Sequence, residues 1–209
     1  MLDTPKKNDV FNKLTELSAL VMQYAQTYRV TRLTGSDEYE SDTDHSFMLG
    51  MVACAIHEYC APELDRGKLA EYALVHDFVE VYAGDTATLG MIDKSEKEAR
   101  EGLALKRIKE EYDMTFPWIG EAIMRYEAQI EPETRFIKVL DKIMPGLTHA
   151  HNIGKVFDEL KVSPDDILKQ KDIQRAWVIE AAKEWPLLIE IYDHIHTQIF
   201  SLPYFKTHE

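Results

Sequence analysis

The sequence predicts an all-α fold, and three observations carry that expectation. Apolar residues recur at i, i+3, i+4 and i+7 through nearly every segment, the mark of a helix that buries one stripe. Alternating runs bounded by Asn-Gly or Asp-Gly turns, which would signal strands, are missing. Pro117, Pro132 and Pro164 stand where helices could begin. With 209 residues, 45% of them hydrophobic and 29% charged, the chain is expected to form one domain, 1–209, around a substantial core.

Taken in order, the first helix is expected over Val10 to Tyr28, with Phe11, Leu14, Leu17, Val21 and Tyr24 on its apolar face. A polar loop, Thr34 to Thr43, follows. The second helix runs from Asp44 to Cys60 with Met48, Val52, Ala55, Ile56 and Tyr59 inward, and Ala61-Pro62 stops it. The third covers Leu69 to Asp85, with Gly84 suited to a C-terminal cap. After a loop through Leu89 to Asp93 comes a charged helix, Lys94 to Tyr112. A helix from Pro132 passes through Asp141, and Pro145-Gly146 should kink or break it before Leu147 to Leu160 continues. Ser163-Pro164-Asp165-Asp166 reads as a helix start, with a Ser cap, Pro in the first position and acids in the first turn. The C-terminal helices span about 147–198, with Trp177, Trp185, Leu188, Ile191 and Ile195 among their apolar residues, and an irregular tail is expected over 199–209.

Charge narrows the function. Lys and Arg number 24 against 37 Asp and Glu, a net −13 that argues against a nucleic-acid polymer or an anionic membrane as partner. A small phosphorylated substrate held by a metal and one or two Arg residues remains compatible. Cys54 and Cys60 read as reduced, buried thiols of a cytoplasmic protein. The polar opening MLDTPKKNDV and the lack of any 18-residue apolar run predict neither a signal peptide nor a membrane span.

One stretch breaks the apolar pattern. In LAEYALVHDFVEVYAGD the stripe Leu69, Tyr72, Ala73 continues with His76 and Glu80, and Asp77 sits at its edge. Burying such groups is costly unless something pairs with them, and a divalent metal ion is a common partner. A buried His-Asp hydrogen bond would explain an isolated His-Asp dipeptide. This one has company, because His45 opens the second helix on its inward side and Asp141 lies on another apolar stripe, between Ile137 and Met144. Singly, His45 could be solvated and Asp141 could pair with Lys138 or Lys142. Jointly, two imidazoles and two carboxylates suit one divalent ion.

TDHSFMLGMVA around His45, ALVHDFVEVYAGDT from Ala73 to Thr86 and RYEAQIEPETRFIKVLDKI around Asp141 resemble the HD-domain phosphohydrolases. Within them the pattern is similar to the small 5′-nucleotidase, or deoxynucleotidase, branch, over about 28–143. The resemblance implies a single-domain helical HD bundle. It implies one divalent metal ion per site (Mn, Co, Mg, Zn or Fe), held by His45, His76, Asp77 and Asp141. Glu80 matches the acid that acts on the water or leaving group, and Asp85 the acid beside the reaction centre. Arg29 or Arg32 matches the Arg that grips the substrate phosphate, with Thr86 as a further substrate contact. The substrate implied is a nucleoside 5′-monophosphate, and family members of this size often pair as homodimers.

The chemistry agrees with the residue types. Phosphomonoester hydrolysis needs charge neutralisation, an attacking water and a proton for the leaving alkoxide, and a metal, a carboxylic acid and an Arg fork supply these. Which of Glu80 and Asp85 donates the proton stays open. The chain departs from the branch where bacterial members carry a Trp directly after the N-terminal Arg, since Val30 follows Arg29 here. The Thr34 to Thr43 loop is also longer and more acidic. Two other readings use the same scaffold: a dNTP triphosphohydrolase, disfavoured because few Lys or Arg stand near the motifs, and a non-catalytic metal-binding regulatory module. A purely helical interaction protein is the remaining class, and it predicts no metal. His149 and His151 are read as polar helix surface, because Pro145-Gly146 should spoil their register with Asp141. His57, His194, His196 and His208 are read as surface or structural.

Overall fold

The computed structural model describes residues 6–85 and 94–206. Helix α1 (Lys7–Tyr24) leads into strands β1 (Tyr28–Arg32) and β2 (Tyr39–Ser41). The helices α2 (Asp42–Cys60), α3 (Arg66–Val75), α4 (Glu80–Ala83), α5 (Lys94–Tyr112), α6 (Trp118–Ala128) and α7 (Pro132–His151) follow. Short α8 (Lys155–Glu159), then α9 (Pro164–Ala181), α10 (Pro186–Phe200) and α11 (Pro203–Lys206) complete the order. Apart from the two short strands the regular structure is helical, so the all-α class stands. Among the described residues no helix is long and apolar enough to cross a membrane.

At the centre, α3 packs against α2 and α7, and α7 packs in turn against α10. Tyr72, Leu49, Ile137 and Leu140 are almost wholly buried between them, and Trp185 meets Phe136 edge-to-face at 5.1 Å. At Gly146 a Cβ would lie 2.9 Å from Ile195 Cγ2, so a side chain there would push α10 off α7.

Several elements differ from expectation, each for a physical reason. The strands form a small antiparallel hairpin pairing Tyr28 with Ser41 and Arg32 with Tyr39. Gly35 supplies the left-handed residue of its turn at φ 69°, and the Asn152 side chain bonds both Gly35 N (3.2 Å) and the Arg32 carbonyl. The hairpin is thus fastened to the end of α7, which a local pattern cannot reveal.

Helix α1 packs against α4 and buries Leu20 and Tyr24, while Phe11 and Leu14 are 68% and 55% exposed. In α2 the buried stripe is Asp42, His45, Ser46, Leu49, Ala53 and His57, so the expected inward residues Ala55 and Tyr59 face solvent. Polar residues occupy both ends of that stripe, and an apolar count therefore chose the wrong phase. Cys54 and Cys60 are free but only half-buried. Helix α7 runs unbroken through Pro145, although that residue removes the bond Asp141's carbonyl would accept. Within the expected irregular tail, α10 continues to Phe200 and α11 buries Phe205 against the core, while residues 207–209 lie outside the described residues. The Leu89 to Asp93 loop lies outside the described residues.

Candidate active site

Three helical segments build the site, and a capping box sets the first. Ser41 Oγ accepts from Asp44 N (3.1 Å) while the Asp44 carboxylate accepts from Ser41 N (3.0 Å), so α2 begins at Asp42. That start turns Asp42 and His45 inward. His45 Nδ1 lies 3.1 Å from Glu40 Oε1, and its Nε2 lies 3.1 Å from Asp141 Oδ1. Glu40 also accepts from the Thr31 hydroxyl, so the hairpin fixes the ring that opens the helix. Burial alone would lower the His45 pKa, but hydrogen bonds to Asp141 and Glu40 outweigh it and raise it to about 9.

His76 closes α3. Its Nδ1–H donates to the Ala73 carbonyl at 2.9 Å, which leaves the lone pair on Nε2. That Nε2 is buried and without a hydrogen-bond partner, although it stands 3.0 Å from Asp77 Oδ2 and 3.8 Å from Asp141 Oδ1. A lone pair facing two carboxylate oxygens is unfavourable unless a cation stands among them. One donor atom each from His45, His76, Asp77 and Asp141 lies within 4.8 Å of all the others. This mixed nitrogen and oxygen set fits a divalent first-row ion or Mg²⁺. Asp141 accepts from Lys142 Nζ at 2.9 Å and Asp77 from Arg29 at 3.0 Å. Burial raises the pKa of both acids, yet both are held below the usual carboxylate range, with the Arg29 guanidinium beside Asp77 and Lys142 and His45 beside Asp141.

The third helix is not continuous to Gly84. From His76 the chain tightens into shorter-range bonds, Glu80 N to Asp77 O at 2.8 Å among them, before α4 restarts at Glu80. Asp77 therefore joins the histidines, whereas Glu80 joins Asp42 and Asp85 in a second group, also within 4.8 Å. Glu80 is 2% exposed, with its Oε1 3.6 Å from Lys97 Nζ and its Oε2 unbonded. Burial, then the charges of Asp77, Asp42 and Asp85, push its pKa far above the usual carboxyl range. Asp42 is fully buried 3.5 Å from Arg29 and is raised by burial too, against the pull of that guanidinium.

The two candidate arginines part company. Arg29 lines a cavity of about 490 Å³ that opens onto both clusters. Arg32 does not line it; it pairs with Glu159 at 2.8 Å and lies over the Tyr39 ring at 4.0 Å. Thr86 lies outside the described residues. Lys97, Lys138, Lys142 and Lys171 also line the cavity, which corrects the expectation of few cations near the motifs. Val30 is on its wall.

His149 is likewise a correction. It is 9% exposed and on the cavity wall, its ring 4.6 Å from Phe157, and burial lowers its pKa to about 4. The unbroken α7 keeps it on Asp141's face, whereas His151 points to solvent. His57 is structural, with Nε2 2.7 Å from the Leu64 carbonyl, and His208 lies outside the described residues. Asp42 and Glu40 escaped the sequence reading. The Ser41-x-x-Asp44 capping signature, which puts Asp42 on the same face as His45, was the available signal.

A helical bundle carrying two histidines and two aspartates on three of its segments has the donor set of a divalent-metal centre. The chain belongs to the HD domain family, whose model matches residues 23–181. It is 33% identical over 112 residues to human 5′-deoxynucleotidase HDDC2, covering 49% of this chain and 50% of that one. To 5′-deoxynucleotidase YGK1 of Saccharomyces cerevisiae it is 31% identical over 129 residues, 58% of this chain and 59% of the relative. The chain thus spans about half the length of the curated relatives it matches. Its fold is that of a crystal structure described as a predicted metal-dependent phosphohydrolase from Magnetospirillum magnetotacticum MS-1. The TM-score is 0.74 at 24% identity, over 96% of this chain and all of that one.

Proposed function

We propose that this protein is a metal-dependent phosphohydrolase that removes the 5′-phosphate from ribo- or deoxyribonucleoside monophosphates, with His45, His76, Asp77 and Asp141 holding one divalent ion. The observation that carries this reading is His76 Nε2, a buried and unbonded lone pair aimed among carboxylate oxygens at the floor of a cavity. The names of the relatives point to the same chemistry. When bound, the ion supplies charge neutralisation for the phosphoryl oxygens and lowers the pKa of the attacking water.

The chain's own groups do the rest. Arg29 offers a planar donor fork to the phosphate from the cavity wall. Glu80 keeps its proton at neutral pH, because burial and three neighbouring carboxylates disfavour its charge, and so suits delivery of a proton to the leaving 5′-oxygen. Asp85 stands beside it as the second acid. Arg32 is left out of this assignment.

The test is phosphate release from ribo- and deoxyribonucleoside mono- and triphosphates with Mn²⁺, Co²⁺ or Mg²⁺, wild type beside Asp77→Ala. Metal-dependent release from monophosphates, falling about a thousandfold in the variant, is expected for a ligand that supports several kcal/mol of charge stabilisation. The lysines of the cavity make triphosphates a necessary arm of the panel. Inorganic triphosphate released from dNTPs would move the protein to the rival class. Metal bound without any turnover would make it a regulatory module.

A further inference from the structure

The stretch of the cavity wall around His149, here its second lobe, differs in character from the stretch beside the two acidic clusters. We infer that this lobe is a nucleobase compartment and that His149 is a specificity-determining residue that reads the edge of the base. The inference rests on the nucleotidase reading above and adds to it the part of the substrate that no group so far considered contacts.

Three observations support it. First, the lobe is apolar with few charges: Pro145, Phe157, Ile167 and Ile199 line it, and its one lysine, Lys171, has its ammonium 3.1 Å from Asp172. Such walls suit a flat heteroaromatic ring, and a phosphate would find little to neutralise it. Second, apart from Lys171 the polar groups on these walls are imidazoles and amides, which offer both donors and acceptors. His149 is nine-tenths buried and its Nδ1 has no partner, an expense that a bound ligand would remove. His196 donates through Nδ1 to the Tyr192 carbonyl at 2.9 Å, which leaves Nε2 as an acceptor. Gln170 stands on α9 one turn before Gln174, whose Oε1 accepts from the Tyr192 hydroxyl at 3.1 Å, and an amide such as that of Gln170 can pair with adjacent donor and acceptor atoms on a base edge. Third, the spacing fits. Asp141 and His149 share one face of α7, eight residues or about 12 Å apart, and an extended nucleoside monophosphate covers a like span from phosphate to base.

The experiment compares dAMP, dGMP, dCMP and dTMP with 2-deoxyribose 5-phosphate, which carries the same ester and no base. In the wild type, nucleotides are expected to show the lower KM. In His149→Ala the ratio of kcat/KM for the favoured nucleotide to that for deoxyribose phosphate should fall about tenfold, through KM, as for one lost buried hydrogen bond. His149→Asn, which restores a donor and an acceptor, should recover part of it, and Gln170→Ala should lower the same ratio without touching the packed core. Equal losses on both substrates, or an unchanged ratio in all three variants, would overturn the inference. If no substrate turns over, the nucleotidase reading fails by itself. Calorimetry of dAMP against deoxyribose phosphate then decides the base compartment: tighter dAMP binding that His149→Ala weakens supports it, and equal binding of the two ligands sinks it.

Discussion

The two acidic clusters on the cavity both contain carboxyl side chains and hold them in opposite protonation states. Around His45 and His76, the carboxyls of Asp77 and Asp141 face imidazoles, Arg29 and Lys142, and stay ionised. A few ångströms along the chain, Asp42, Glu80 and Asp85 face mainly one another, and Glu80 and Asp42 are driven toward their protonated forms. The contrast separates the tasks that hydrolysis needs. Ionised acids beside imidazole nitrogens suit a cation, which would displace a ring proton on binding, and a buried acid that keeps its proton suits a leaving group. Neighbouring charge, not residue type, assigns the two roles.

The sharpest way to break this comparison is Glu80→Gln, which keeps volume and removes the proton. Turnover is expected to fall between about 10² and 10⁴-fold, with metal content measured by elemental analysis unchanged. Loss of metal as well would mean that Glu80 belongs to the first group.

Next comes pH dependence of stability in chelator-treated protein. His45 titrates near 9 when folded and near 6.5 when unfolded, so between those values the folded chain binds the extra proton and stability falls as pH rises. Glu80 and Asp42, also raised, act in the same direction. His149 acts oppositely in acid: its folded value of about 4 makes stability rise between pH 4 and 6.5. Below pH 6.5 Glu80 and Asp42 offset the rise due to His149, so the clear signal lies above it: melting temperature should fall from pH 6.5 to 9, and that alkaline limb, about 3 kcal/mol for His45 alone, should flatten in His45→Gln. A melting temperature flat from pH 6.5 to 9 would contradict the hydrogen bonds assigned to that ring.

The smallest effect expected is from Glu40→Gln, which weakens the orientation of His45 without removing a ligand. Metal affinity should drop about 10- to 100-fold by competition with a chelator, and an unchanged affinity would show that Thr31 and Glu40 do not steer the ring.

Much of this was legible in the sequence, and the failures share a cause. The four candidate ligands were visible because polar residues interrupting an apolar stripe demand a partner, and the α9 start was visible because Ser163 and Pro164 act locally. The hairpin was not, since its three-residue second strand and its anchor at Asn152 depend on a contact far along the chain. The break after His76 was hidden because the backbone stays right-handed and only the hydrogen-bond span changes. His149 was misjudged by applying proline's local penalty to a helix whose packing against α3 and α10 overrides it.

That unbroken α7 has a mechanical consequence. Asp141, His149 and Asn152 ride on one rod, and Asn152 grips the hairpin that delivers Arg29. The arginine, the candidate acidic ligand and the far histidine are therefore tied to a single frame. One residue inserted between Asp141 and His149 would swing the far end by about 100° and carry the hairpin's anchor with it. The helix works as a caliper whose two jaws are set by the count of residues between them.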